Sequence, residues 1–157
     1  MKKILSVNQA ATGTDIGLLV ARTGIAALML THGIPKLLML LSGGPVQFPP
    51  VMGMSAELSL SLTVFAEVIC SVFILAGFAT RVATVPLIIT MLVAILFIHA
   101  ADPFAKQEPA FYYLLVYLIL LFGGSGKYSI DYLLQSKTGP ENKKHLKAAG
   151  PAMAVYQ

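Results

Sequence analysis

Glu67 has the most unusual setting of any residue able to do chemistry in this chain. It stands in the middle of Leu58–Phe78, LSLSLTVFAEVICSVFILAGF, a stretch of bilayer-crossing length at 1.5 Å of rise per residue. Counted from Glu57, its carboxyl group falls roughly 15 Å down, near the centre of the hydrocarbon. Ser59, Thr63, Glu67 and Ser71 recur every four residues, with Cys70 beside them, so one helical face carries a polar seam. A carboxylate at that depth must face protein, water or a cation, and can serve to handle protons. Two histidines and two tyrosines join it from other parts of the chain: His32 in THGIPK, His99 in HAADPF, and Tyr113 and Tyr117 in FYYLLVYLIL. By helical rise, Glu67, His32 and Tyr117 lie about 12 to 15 Å below one membrane surface. His99, Asp102, Tyr113 and Lys36 form a shallower layer above them. Glu67 and His32 are therefore the candidates for proton handling. His32, His99, Tyr113 and Tyr117 are the candidate donors to a bound ligand.

Arg22 is the other charge inside an apolar stretch. Its depth is expected to differ from that of Glu67 by about 6 Å, within reach of an arginine side chain. The spacing predicts a structural ion pair, Arg22 with Glu67, that fixes helix register. The histidines, Glu67 and Asp102 show no HxxxH or ExxH spacing, so no metal site is expected. Cys70 is the only cysteine, which excludes an intramolecular disulfide and a CxxC redox pair. Gly123–Lys127, GGSGK, resembles part of a phosphate loop. Leu121 stands where the first glycine should be, however, and Tyr128 follows the lysine, so that reading fails.

The elements that must position these groups are membrane helices. The chain has 157 residues, 57% hydrophobic and 11% charged, less than half the charge of a soluble domain. The expected fold class is all-α, an integral membrane four-helix bundle. A lead-in over 1–15 precedes a transmembrane domain over 16–134, with spans at about 16–41, 58–78, 82–101 and 110–123. An apolar loop over 42–57, punctuated by Gly and Pro, folds back onto the outer surface. Ser129 is placed to cap a short interfacial helix ending near Leu134, and the basic tail over 135–157 is expected to be disordered. An arrangement with both termini cytoplasmic puts Lys2, Lys3, Arg81, Lys127, Lys137, Lys143, Lys144 and Lys147 inside and only Lys36 and Lys106 outside, a positive-inside pattern. The +4 net charge thus reports topology, and no nucleic-acid partner is expected.

The arginine of the first span, HGIPK at its outer end, FAEVICS, GFATR, HAADPF and GGSGKYSIDYLL together resemble the DoxX family, in order and spacing, from Gly17 to Leu134. The resemblance implies a small bacterial inner-membrane protein. Some relatives are linked to thiosulfate oxidation with quinone as acceptor, others to membrane oxidoreductase complexes. Quinone is then the candidate cofactor, with His32, His99, Tyr113 and Tyr117 around its head group and Glu67 relaying a proton. The bilayer, a partner subunit of a redox complex and a second copy of the chain are the candidate partners. A non-catalytic docking module and a small-solute transporter are the competing readings.

Overall fold

The computed structural model describes residues 11–138, and all their regular structure is helical. Helix α1 (Ala11–Leu41) runs unbroken through Pro35. Helices α2 (Ala56–Ala76) and α3 (Thr80–Ile98) follow, joined by a tight turn. Helix α4 (Phe104–Gly123) comes next, and α5 (Ile130–Thr138) is short. The first three of these are long and apolar enough to cross a membrane. Each of α1 to α3 packs on the next, and α4 returns to α1 to close a ring.

Turn chemistry decides where each helix begins and ends. Ser55 Oγ accepts from the Leu58 amide at 3.3 Å, capping α2. Gly77, with φ 68°, ends α2, while the Phe78 amide reaches back to the Phe73 carbonyl at 2.9 Å. Asp131 accepts from the amides of Ala79 and Thr80 at 2.8 and 3.3 Å, so a distant carboxylate starts α3. The loop expected before Pro109 is instead helix: α4 starts at Phe104, with Pro109 inside it. Ser129 Oγ accepts from the Tyr132 amide at 3.2 Å, the cap expected for α5. Residues 1–10 and 139–157 lie outside the described residues, and with them most of the lead-in and the tail expected to be disordered. Residues 11–15 already belong to α1, and 135–138 to α5.

Tyr117, Met29, Leu60, Ile74, Leu87 and Leu120 are fully buried between the helices. Val20, Val82, Leu96, Leu115 and Phe122 are largely exposed on the outer faces. Apolar surface on that scale, over helices of spanning length, contacts the lipid bilayer. The 42–55 segment folds back onto α2. Val51 is buried, and its amide donates to Ser59 Oγ of α2 at 3.2 Å.

Candidate functional site

The end of the bundle near α5 is a clamp. Arg22 is 3% exposed, and its Nη2 donates to the Tyr128 carbonyl. A Cβ at residue 77 would fall 1.6 Å from Arg22 Nη1, so only glycine leaves room for the guanidinium. Asp131 is the acidic group acting on it. The Gly123–Lys127 loop lies alongside, and the Lys127 amide donates to Asp15 Oδ1 at 3.1 Å. That amide is taken by a carboxylate of the chain itself rather than left for a phosphate.

The ion pair expected between Arg22 and Glu67 is not formed. Gly33 of α1 is the residue level with Glu67, its missing Cβ leaving 3.0 Å to the Glu67 carbonyl carbon. Arg22 is eleven residues from Gly33, about 16 Å along the helix and beyond an arginine's reach. Lys36, one turn from Gly33 on the same face, takes its place: Lys36 Nζ donates to Glu67 Oε1 at 2.5 Å. The Glu67 side chain is 4% exposed and that of Lys36 29%. The second carboxylate oxygen, Glu67 Oε2, is buried and has no hydrogen-bond partner among the described residues. By helical rise Lys36 was expected in a shallower layer than Glu67. Its partner was legible only in the periodicity, since Arg22, Ala26, Met29, Gly33 and Lys36 recur at three- and four-residue steps along one face.

Two adjoining cavities open on this pair, and both are lined by Lys36, Glu67, Ala94 and His99. One, of about 310 Å³, lies under Phe48 and Val51 of the folded-back loop. The other, of about 260 Å³, is bounded by His32, Lys106 and Tyr113. His32, Glu67, His99 and Tyr113 thus line one space. Tyr117 does not line it. It is fully buried with its ring stacked 6.2 Å from that of Tyr113, and its hydroxyl has no partner among the described residues. His32 is exposed at the mouth, edge-on to Tyr113 at 5.9 Å.

Both walls of the cleft depart from regular α-helix. A π-helical turn covers Phe65–Cys70 around Glu67, and another covers Ala94–Ile98 before His99. Such turns are frequent at functional sites. His99 Nδ1 lies 2.8 Å from Asp102 Oδ2, and Lys106 Nζ 3.5 Å from Oδ1. An ionised carboxylate only accepts, so Nδ1 carries the proton in this contact. The His99 hydrogen bond, helped by Lys106, holds the Asp102 carboxyl below the usual range. Gln107 Nε2 donates to the carbonyls of His99 and Asp102 at 2.9 and 3.0 Å, fixing this turn. Among the described residues no three His, Cys, Asp or Glu side chains come together to hold a metal ion.

The cleft therefore offers an ammonium donor, a carboxylate with one oxygen free, and two imidazoles in a space for one small ring. No curated protein and no solved structure matches the chain. The DoxX family model matches residues 17–100, just over half of the 157 residues, from α1 through Glu67 to His99 and the end of α3. By that match, and with three helices fit to span a bilayer, the chain is a membrane protein of the DoxX family.

Proposed function

We propose that the protein binds a quinone head group at the Lys36–Glu67 pair and serves as a membrane subunit of a redox complex. The observation that carries this reading is the unpartnered Glu67 Oε2 beside the Lys36 ammonium. A buried polar atom left without a partner is costly. A hydroxyl of a reduced quinone donates to such an oxygen, and a quinone carbonyl accepts from Lys36 or a histidine. The residues present fit that group in type and in space. A bound quinone supplies two-electron, two-proton chemistry, with electrons exchanged through a partner subunit. Lys36 and Glu67 orient the ring. Glu67 and His32 handle protons at the head group, and His99, steadied by Asp102, passes them toward the outer surface.

In this reading α4 is a fourth span, the termini are cytoplasmic and the host is a bacterial inner membrane. The apolar outer faces of Leu115, Ile119 and Phe122 support the fourth crossing, and the distribution of lysines and arginines supports the topology. The docking-module reading loses ground because Val51 is turned inward over the cleft.

Two measurements test the proposal. Reporter fusions after Leu134 and within the 42–57 loop should give opposite signals, and equal signals would refute four spans. Lipid extracted from purified protein should contain quinone well above the level of an unrelated membrane protein, and less after His32→Ala. Quinone at the unrelated protein's level would end the redox reading.

A further inference from the structure

The polar cleft has a side door. Between α2 and α3, beneath Val51, Met52 and Met54, lies a cavity of about 290 Å³ walled by groups such as Leu62, Phe65 and Ile89. These three are half exposed on the lipid-facing side. The cavity shares Val51, Thr63, Thr90 and Val93 with the cleft that holds Lys36 and Glu67, so the apolar and polar spaces abut. The two threonines do not make this junction polar. Thr63 Oγ1 donates to the Ser59 carbonyl at 2.8 Å and Thr90 Oγ1 to the Pro86 carbonyl at 2.9 Å. Their hydroxyls are consumed by their own helices. The roof is held by the Val51 amide on Ser59 Oγ.

We propose that this groove is the lateral entry and the tail-binding slot for an isoprenoid chain whose ring sits at Lys36–Glu67. The inference rests on the head-group reading above and adds the ligand's second half and its route. The occupant follows from the charges at the junction's polar end. Among the described residues the lysine there is already paired, and the group beside it without a partner is a carboxylate oxygen. A phosphate attached to an acyl chain would meet that oxygen as a like charge, which is disfavoured. An uncharged ring with hydroxyl or carbonyl oxygens meets it as a hydrogen-bond donor or accepts from Lys36. A hydrocarbon tail leaving such a ring toward Thr63 and Thr90 stays in apolar surroundings and emerges between two helices directly into lipid.

The test uses the full chain in phosphatidylcholine nanodiscs and two probes. One is a benzoquinone bearing a polyisoprenoid tail with a terminal diazirine, the other the tailless dimethoxy-methyl-benzoquinone. Photolysis of the tailed probe should label peptides containing Leu62–Ala66 or Ile89–Val93. Ile89→Trp, which fills the groove at a residue that does not line the Lys36–Glu67 cleft, should weaken the tailed probe on the order of tenfold by removing apolar burial and leave the tailless probe unchanged. Labelling elsewhere while both probes bind would overturn the groove and spare the head-group site. Binding of neither probe would overturn both. A photoreactive phospholipid that labels the same peptides equally, and is not displaced by the tailed quinone, would assign the groove to bulk acyl chains and overturn the proposal. Should Ile89→Trp fail to fold, the labelling of the unmutated chain decides alone.

Discussion

Gly33 of α1 lies against the backbone of Glu67 in α2, so that a Cβ at residue 33 would come within 3.0 Å of both the Glu67 carbonyl carbon and its Cβ. This one close approach lets α1 run near enough to α2 for Lys36 to reach the buried carboxylate. Glycine is required here for space, as small residues are wherever membrane helices touch.

Gly33→Ala should therefore destabilise the protein by about 1–3 kcal/mol through overpacking. The nearest atom to the added methyl is Val68 Cγ2, at 2.8 Å, so Val68→Ala should restore part of the loss. Thermal unfolding in detergent measures both. Full tolerance of Gly33→Ala would contradict the close approach.

The Lys36–Glu67 pair predicts a specific pattern of coupling. Removing either partner alone leaves a charge without its counter-ion at membrane depth, and costs on the order of 1–3 kcal/mol given that Lys36 is partly exposed. Lys36→Met with Glu67→Gln should cost less than the sum of the two. Arg22→Gln should add to Glu67→Gln without coupling, because Arg22 belongs to the clamp at Tyr128 and Gly77. Coupling of Glu67 to Arg22 in place of Lys36 would reverse the assignment.

Asp102 predicts a pH dependence. Its carboxyl is held below the ordinary value by the His99 hydrogen bond and by Lys106. A depressed carboxylate stabilises the fold above its unfolded pKa, about 3.9, and loses that contribution as pH falls through the lower folded value. The unmutated protein should thus unfold at a higher temperature than Asp102→Asn at pH 6, and the gap should close below about pH 4. A gap that persists or widens in acid would show that the carboxylate is not what steadies the His99 turn.

Much of this arrangement was legible in the residues. Glu67 inside an apolar stretch, His32 at its depth, and His99 and Tyr113 in the layer above identify the end of the bundle where polar groups gather, because burial in a membrane is costly enough to make such positions conspicuous. The partner of Glu67 was not legible in the counted depths. Depth counted from helix ends assumed that every span begins at the same surface, whereas α1 is 31 residues long and overshoots a bilayer. Only contact between Gly33 and Glu67 sets the true level. The start of α4 was hidden for a related reason. Pro109 looks like a loop residue, yet near a helix start it loses only one backbone bond, and the turn held by Gln107 offsets that loss. The apolar groove could not be read at all, since it arises from a loop amide meeting Ser59 across eight residues.

The most direct test of the account is infrared difference spectroscopy on purified protein, with and without tailless benzoquinol. If Glu67 Oε2 accepts a ring hydroxyl, quinol addition shifts a carboxylate stretching band. That shift should be missing in Glu67→Gln and retained in a Glu57→Gln control, since Glu57 lies in the first turn of α2, about 15 Å of helix away. The same difference spectrum from Glu67→Gln would contradict a head-group site at the Lys36–Glu67 pair.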